Sequence, residues 1–251
     1  MLFRSDFEIS EEPDPSSEAG GYTTAAGLPF RYLSGGSRRT YPFEDDSENS
    51  IFHGYGEMYV MTREVTYRDF ARFIDETPRW RPENRENLAA EGLATEDYLA
   101  DWEEFRETDL PVRFVSYHAA LAFCEWLDSK LPPRFAGWRA ILPDEYQWEA
   151  AAFSSVMTDP VLYEPGREGP RPALDPSILG DFYGNLWEWC RNDFKRNDGI
   201  SFDASGRYIS SPPAFSAAEK AVRGGSWASI DELVTVSSRG SQPPSWCTPF
   251  L

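Results

Sequence analysis

Two short segments that combine glycine with tryptophan constrain the fold of this chain most strongly. The first is Gly184-Asn185-Leu186-Trp187-Glu188-Trp189-Cys190, and the second is Arg223-Gly224-Gly225-Ser226-Trp227. Glycine permits tight turns, and a tryptophan side chain buries a large area when it enters a core. We therefore interpret the preceding chain as a frame that presents these two segments, and the loop-rich end after them as the part that carries the function.

Length and charge limit the classes of function. The 251 residues, 41% of them hydrophobic, suffice for one sizeable core. The 24 basic and 42 acidic residues give a net charge of −18, whose field repels duplex nucleic acid and anionic membranes. Metal cations, basic proteins and cationic ligands are favoured instead.

The sequence contains no sign of a membrane span or of a secretory leader. No apolar run is long enough to cross a bilayer, and the N-terminus lacks a basic start followed by an apolar block. We expect a cytoplasmic protein, or a surface or secreted one if a leader was removed. Cys124, Cys190 and Cys247 show no metal-ligand spacing and fit reduced thiols better than a disulfide framework.

The order of patterns along the chain predicts an extended acidic arm over residues 1–27 and one domain over 28–251. Short strands are expected at 28–33, 55–61 and 111–116, and residues 83–109 are expected to form a solvated acidic insertion with a short helix. Three helices are expected to start at side chains that cap free amides, namely Thr66, Ser116 and Asp144.

Five segments resemble, in the same order, motifs of the formylglycine-generating-enzyme (sulfatase-modifying factor) superfamily. The resemblance implies an α+β, C-type-lectin-like fold with short antiparallel strands and about three helices over residues 28–251. The segments are Glu64-Val65-Thr66, Pro111-Val112 through Cys124-Glu125-Trp126-Leu127, Leu142-Pro143-Asp144-Glu145 through Trp148-Glu149-Ala150-Ala151, Gly184-Asn185-Leu186-Trp187-Glu188-Trp189, and Arg223-Gly224-Gly225-Ser226-Trp227.

The resemblance also implies a structural calcium ion. Members of this family often hold calcium in the loop that matches Gly184–Trp189. Carried over to this sequence, the ligands are the side chains of Asp181 and Glu188 and the main-chain carbonyls of Gly184 and Leu186. Calcium prefers about six to eight oxygen ligands, which suits this set.

A second interpretation of the same loop stays open. It is a tight turn followed by a buried tryptophan strand, in which Asp181 and Glu188 are only solvated. In either case, alternation along a strand directs Leu186 and Glu188 to one side and sends Trp187 and Trp189 into the core.

The catalytic cysteines of the family are missing. The formylglycine-generating enzyme holds copper with two cysteines shortly after its Gly-Gly-Ser turn, and Ser229 and Val234 stand at about those positions. A hydroxyl and an isopropyl group do not replace thiolates, which are soft ligands for Cu(I). The related sulfoxide synthases bind iron through a histidine cluster, whereas this chain has only His53 and His118. The enzymatic alternative is thus an oxidative enzyme or partner subunit whose metal chemistry is supplied elsewhere.

A third branch of the family, which includes variable proteins diversified by retroelements, uses the fold as a binding platform. This branch implies a non-catalytic module that binds a protein or small-molecule ligand with residues 228–250. The candidate contact residues are Ser229, Ile230, Asp231, Glu232, Ser241, Gln242, Ser245, Trp246 and Thr248.

Aromatic residues near the end of the chain leave alternatives open. Trp246 is the expected anchor of the interface, because binding energy concentrates in aromatic side chains. The alternative is that Trp246 fills the core, and for Phe250 the core position is the favoured expectation. The chain stops where the related variable proteins begin a final Gly-Phe-Arg, so we expect either a truncation or a natural shortening that weakens the last strand.

Overall fold

The computed structural model describes most of the chain. It covers residues 2–4, 22–40, 51–155, 169–172, 179–194, 201–202, 208–209, 219–229 and 234–251. Five α-helices lie in these parts, and the three longest begin where the capping residues predict. The helices are α1 (Tyr67–Glu76), α2 (Arg85–Ala90), α3 (Trp102–Phe105), α4 (Tyr117–Ser129) and α5 (Glu145–Ser154).

The first seven strands are β1 (Leu2–Arg4), β2 (Tyr22–Ala25), β3 (Leu28–Leu33), β4 (Gly36–Thr40), β5 (Ile51–Tyr55), β6 (Met58–Met61) and β7 (Trp138–Ala140). The remaining strands are β8 (Glu188–Asp193), β9 (Ser201–Phe202), β10 (Tyr208–Ile209), β11 (Lys220–Arg223) and β12 (Arg239–Gln242). The larger sheet has five antiparallel strands in the order β2-β3-β6-β1-β7. Two further sheets have two strands each, β4-β5 and β9-β10.

Both ends of the expected N-terminal arm are extended, and both pair within the larger sheet. Strand β1 lies between β6 and β7, with Leu2 opposite Tyr59 on one side and Ala140 on the other. Strand β2 pairs with β3 in a hairpin. The residues of the arm between these strands lie outside the described part, and the domain boundary at residue 28 stays a prediction.

Side-chain caps start the three long helices as expected. Thr66 and Asp69 form a reciprocal capping box at the start of α1, and Asp144 does the same with Gln147 at α5. Ser116 accepts a hydrogen bond from the Ala119 amide at α4. These bonds satisfy amides that a helix cannot pair internally.

The main core is an aromatic cluster between α1 and α4. Phe70 stacks on Phe123 with ring centroids 5.9 Å apart, and Phe73 contacts both rings. Trp126, about one turn further along α4, completes the cluster, and its ring centroid lies 5.4 Å from that of Phe123. The helical spacing of these residues places them on facing stripes, which is why the two helices pack together.

The acidic insertion is less solvated than its composition predicts. Its apolar residues Leu88, Tyr98, Leu99 and Trp102 are buried in the main core. The Asp101 carboxylate ties the insertion to α1 and to the chain before α4, because it accepts hydrogen bonds from the Tyr67 hydroxyl and the Arg113 guanidinium.

The interpretation of residues 111–116 as a strand was wrong. The structure has one isolated bridge there, between Thr66 and Pro111. Phe114 then adopts a positive φ of 58°, which a continuous strand excludes. The Phe114 amide donates instead to the Thr248 carbonyl at 3.0 Å. This segment therefore supports the C-terminal loop, which comprises residues 243–251.

The second sheet brings the two glycine- and tryptophan-containing segments onto neighbouring strands. Its order is β12-β11-β8, with Arg223 opposite Glu188 and Val222 opposite Trp189. Trp189 is buried as expected, and its indole N–H donates to the Val115 carbonyl at 3.0 Å. Trp187 was expected in the core as well, but it is only half-buried and packs against the edge of the cluster that contains Trp189 and Val222.

A buried network of two arginines and two glutamates joins this sheet to α5. The Arg223 side chain, 2% exposed, bonds Glu145 at 3.3 Å, Glu149 at 2.9 Å and the Val236 carbonyl at 2.6 Å. Arg239 binds Glu145 through two nitrogens, at 2.7 and 2.8 Å. Paired charges of this kind are tolerated inside a protein only when each is bonded, and removal of one partner is costly.

The network sets the charge state of Glu145. Burial by itself would raise the pKa of this carboxyl, but the hydrogen bonds and charge of Arg239, and then the charge of Arg223, outweigh burial and hold the pKa below its ordinary value. A lowered pKa in the folded state means that the unfolded state binds protons more readily as the pH falls. The stabilisation is therefore complete above the unfolded pKa and is lost as the pH falls through the folded one.

No helix in the described parts of the chain combines the length and the apolar character that crossing a membrane requires.

Loss of one partner of the network is expected to lower stability at neutral pH and to remove the part of the stability that depends on pH in the acid range. Arg239→Met should cost about 3 kcal/mol of unfolding free energy at neutral pH, because Glu145 keeps its burial and loses its bidentate partner. The difference from the wild type should shrink as the pH falls, because protonation of Glu145 removes the same stabilisation from the wild type. Denaturant unfolding measured across the acid range checks both effects.

The control for this variant is Arg68→Met, which breaks an exposed ion pair with Asp109. An exposed pair contributes about 1 kcal/mol or less, so this variant should unfold much like the wild type. A destabilisation by Arg239→Met that equals that of Arg68→Met, or that does not shrink in acid, would show that the network does not control stability.

Candidate functional site

The candidate site is built around two main-chain hydrogen bonds that lock the two glycine segments together. The Gly184 amide donates to the Gly224 carbonyl at 2.8 Å, and the Trp227 amide donates to the Asn185 carbonyl at 2.7 Å. Gly184 and Asn185 both have positive φ, of 83° and 61°. These two bonds therefore hold the turn at Gly184 against the second segment, and they fix the position of Trp227, after which the next loop begins.

Asn185 holds this turn in place through its side chain. The side chain is fully buried, accepts a hydrogen bond from the Arg171 amide at 2.9 Å and donates to the Arg171 carbonyl at 3.1 Å. It also donates to the Glu64 carboxylate, whose other oxygen accepts from the Leu186 amide at 3.0 Å. Every polar atom of the Asn185 amide is thus used in positioning the turn.

Gly224 is required at its position because the two segments approach so closely. Its φ is +99°, and a Cβ atom there would lie 3.1 Å from the Phe182 carbonyl and 3.3 Å from the Trp148 ring. Any other residue would therefore push the segments apart.

The structure places Ser229 and Val234 beside one another, around Gly225. A Cβ atom on Gly225 would lie 3.2 Å from the Val234 side chain and 3.6 Å from the Ser229 hydroxyl. The Ser229 hydroxyl accepts a hydrogen bond from the Ser226 amide at 3.0 Å, so it closes the turn. The two positions at which the sequence resemblance leads us to expect the family's cysteines thus both lie next to Gly225, and neither carries a thiol.

All three cysteines are free and buried elsewhere. Burial raises the pKa of the Cys124 thiol to about 11, and it also raises the pKa values of Cys190 and Cys247. Because the thiolate is the reactive form and the metal ligand, these residues behave as packing residues at neutral pH.

A third carboxyl group, that of Glu64, lies close enough to the expected calcium ligands Asp181 and Glu188 for their charges to act on it. Burial, followed by the charges of Asp181 and Glu188, raises the pKa of Glu64 well above its ordinary value. Burial raises the pKa of Glu188 to about 8, with a further contribution from Asp181. Burial also raises the pKa of Asp181, although the charges of Arg171 and Arg63 oppose this shift.

The charges of this cluster suit a divalent cation, and its geometry limits how one could be held. Among the residues that the structure describes, Asp181 has Arg171 as its ionic partner, at 4.0 Å. Within the described residues, no three His, Cys, Asp or Glu side chains are arranged to share one metal ion. Carboxylates can therefore supply only part of a calcium shell, and carbonyl groups such as those of Gly184 and Leu186 would have to supply the rest.

The candidate contact residues occupy two neighbouring parts of the surface. Ser229 follows the Gly225 turn, and the Trp227 indole N–H of that turn donates to the Pro249 carbonyl at 3.2 Å, which brings the turn against the C-terminal loop. Ser245, Trp246 and Thr248 lie on that loop.

Two other candidates lie on β12, which is an edge strand of the smaller sheet. Ser241 stands opposite Ala221 and donates to the Glu219 carboxylate, and Gln242 stands opposite Lys220. Both side chains are half-buried. Ile230, Asp231 and Glu232 lie outside the described residues, so their role as contact residues stays a prediction.

The aromatic residues of the C-terminal loop are exposed. Trp246 is 49% exposed, so the interpretation in which it fills the core was wrong. The same holds for Phe250, which is 38% exposed and rests on the Trp227 ring at 5.3 Å. Leu251 enters the core in its place, beside Tyr117 and Trp189. Cys247 is buried under the loop and is not an exposed thiol.

Sequence reasoning missed several residues of the site. Glu64 was noticed only as part of the Glu64-Val65-Thr66 motif, although a glutamate before a helix cap is free to face another segment. Glu145 and Arg223 belong to two further motifs, and Arg239 belongs to none of the five. The signal that could have found Glu64, Glu145 and Arg223 is that each of these motifs contains at least one charged residue.

Comparison with known proteins agrees with this architecture. The sulfatase-modifying factor enzyme 1-like domain family matches residues 32–159 and 163–251. A protein of Borreliella burgdorferi, described as uncharacterized, is 31% identical over 93 residues, which are 37% of this chain and 18% of that protein. The match thus spans only a small part of the relative's length.

Solved structures with a similar fold cover nearly the whole chain. Treponema denticola variable protein 1 has a TM-score of 0.54 at 18% identity and covers 94% of this chain and 97% of its own. PvdO from Pseudomonas aeruginosa has a TM-score of 0.60 at 14% identity, with coverages of 93% and 96%. CarF has a TM-score of 0.53 at 15% identity, with coverages of 89% and 95%.

At these identities, the solved structures establish the fold and nothing about the activity. They confirm the α+β, C-type-lectin-like fold that the five motifs predict. The domain family covers far more than half of the sequence. This chain therefore belongs to the sulfatase-modifying factor enzyme 1-like domain family.

Proposed function

We propose that this chain is a non-catalytic binding module that holds a protein or a small-molecule ligand on residues 228–250. The observation that carries the proposal is the pair Ser229 and Val234, which surround Gly225 where the family's copper-binding cysteines are expected. Neither residue at these two positions carries a thiol. Copper-dependent oxidation by this chain alone is therefore not supported by its residues.

The C-terminal loop supports the binding role. It presents Trp246 and Phe250 to solvent, and large aromatic side chains supply much of the energy of protein interfaces. The loop is also held from below, since its backbone bonds to Phe114, Tyr117 and Trp227. A rigid base lowers the entropic cost of binding, because the contact residues do not have to be ordered by the ligand.

A similar structure bears on what kind of binder this is. Treponema denticola variable protein 1 is named as a variable protein, and it has the same fold. By analogy, we propose that residues 228–250 are positions at which different members of such a group carry different side chains. Diversification by a retroelement is one source of such variation.

Substitution of the exposed tryptophan is expected to weaken binding without loss of stability. Peptides selected on the wild-type protein from a phage-displayed random library serve as the probe. Trp246→Ala should reduce their affinity by about tenfold or more, since a central aromatic anchor commonly contributes 2 kcal/mol or more, as a rough guide. Affinities are measured by calorimetry, and stability by thermal melting.

Phe153→Ala is the matched control, because Phe153 is 43% exposed and lies on α5, a helix that carries none of the proposed contact residues. Its peptide affinities should stay within about twofold of the wild type. Peptides that ignore Trp246 would contradict the proposed surface. Stoichiometric redox-active iron or copper in the purified protein would overturn the non-catalytic role and favour an oxidative enzyme or partner subunit.

We further propose that the loop around Gly184 binds a structural calcium ion through Asp181, Glu188 and the carbonyls of Gly184 and Leu186. Support comes from the charge balance: Glu64, Asp181 and Glu188 share one region, and Arg171 is the arginine paired with Asp181. A divalent cation would offset the excess negative charge without protonating buried carboxyl groups.

Calcium is expected to raise the melting temperature, and a chelator to lower it, by several degrees. Ligand at about 100 times its Kd stabilises the folded state by about 2.7 kcal/mol. Asp181→Asn should abolish the response, whereas Asp97→Asn, an exposed acid of the insertion, should leave it unchanged. The proposal fails if calcium has no effect on melting and elemental analysis finds no bound ion.

A further inference from the structure

A cavity of about 190 Å³ lies between α1, α4, β6 and β8. For comparison, an engineered apolar cavity of about 150 Å³ in another protein binds benzene. The cavity in this chain is therefore large enough for a six-membered ring with a short substituent. None of the candidate contact residues that the structure describes lines it, so a ligand of the cavity is separate from a partner on residues 228–250.

Helix α4 supplies one continuous apolar side of the cavity. Ala120, Phe123, Cys124 and Leu127 all line it, and their spacing of three and four residues places them on one face of the helix. The Cys124 thiol is uncharged at neutral pH, because burial raises its pKa to about 11. This side of the cavity therefore offers apolar contact to a ligand and carries no charge.

The other elements add apolar side chains to the wall. Val60 comes from β6, Phe70 from α1, Val115 from the chain before α4, and Trp189 from β8. The polar atom of Trp189 is already used, since its indole N–H donates to the Val115 carbonyl at 3.0 Å. Aromatic and branched aliphatic side chains with no free polar group favour an apolar ligand.

Three charged residues line the cavity, namely Arg63, Glu64 and Glu188. They are neighbours, because Arg63 follows on Glu64 and the charge of Glu188 acts on Glu64. The Arg63 guanidinium is bound to Asp69 at 2.5 Å, and the Glu64 carboxylate accepts hydrogen bonds from Asn185 and Leu186. Glu188 is one of the proposed calcium ligands. The charged groups are therefore confined to one part of the wall, and an apolar ligand against α4 leaves their bonds intact.

We propose that the cavity binds one uncharged aromatic molecule of about the size of toluene, packed against Val115, Phe123 and Leu127. Removal of an apolar ring from water supplies the free energy of binding. The rings of Phe70 and Phe123 add aromatic contacts to this term. A charged molecule of the same shape binds less well, because its charge loses its hydration and gains no partner on this side of the cavity.

Toluene is the probe for this site, and benzylamine and benzoate are its charged counterparts of similar shape. Each is titrated into the full chain with calcium present, and binding is followed by two-dimensional NMR and thermal melting. Toluene should bind at one site per chain with a Kd of about 1 mM or lower and should raise the melting temperature. Both charged molecules should bind at least about tenfold more weakly. The NMR shifts should centre on Val115, Phe123 and Leu127.

A substitution that fills the cavity tests its location. Ala120 lines the cavity from α4, and Ala120→Met should weaken toluene binding at least about tenfold. Glu125→Met adds the same side chain at an exposed position of the same helix and should not change binding. If Ala120→Met does not fold, Val115→Ile, which adds one methylene group to the wall, is used with a criterion of about threefold.

Three outcomes would overturn the proposal. One is the absence of toluene binding to the wild type. Another is an affinity for benzylamine or benzoate equal to that for toluene, which would contradict the preference for an uncharged ligand. The third is undiminished toluene binding to the filled variant, with NMR shifts that centre on Trp246 and Phe250, which would place the ring on the exposed C-terminal loop.

Discussion

The architecture depends on the buried bonds that Arg223 makes. This arginine stands in β11 directly before the Gly224-Gly225 turn, and its guanidinium reaches Glu145 and Glu149 on α5. Arg239, on the neighbouring strand β12, binds the same Glu145. Helix α5 and strands β11 and β12 are therefore held together by buried charged side chains. Removal of one of these charges would leave its partner buried and unpaired, which costs much free energy. The position of the glycine turn follows, because it continues the strand that carries Arg223.

Much of the frame could be predicted because its signals are local. A cap such as Thr66 or Asp144 bonds to amides within its own first turn, so the sequence alone contains both partners. The apolar spacing of Phe70 and Phe73 likewise specifies which face of α1 is buried. Residues 111–116 show where such signals fail. Their pattern fits a strand, but the Phe114 amide bonds to Thr248, a partner that no local pattern reveals.

The site was predictable only in outline for the same reason. The two glycine segments were recognised, yet the bonds between them run from Gly184 to Gly224 and from Trp227 to Asn185. Glu64 reaches the site from before α1, although it lies 122 residues from Leu186 in the chain. Phe250 shows the opposite error, since an aromatic residue near a chain end was expected inside and the smaller Leu251 occupies that place. Which of two adjacent apolar residues turns inward depends on backbone contacts that composition does not encode.

The bonds that hold the frame do not involve the two positions around Gly225 where the family's cysteines are expected. Ser229 closes the turn through hydrogen bonds with Ser226, and Val234 packs against Gly225, so both positions keep a structural role without thiols. Catalytic residues can therefore be lost while Arg223, Glu145 and Asn185 still fix the turn and the C-terminal loop. A frame whose bonds do not depend on those two positions is free to present other side chains from the same loop, which is the physical basis of the binding role that we propose.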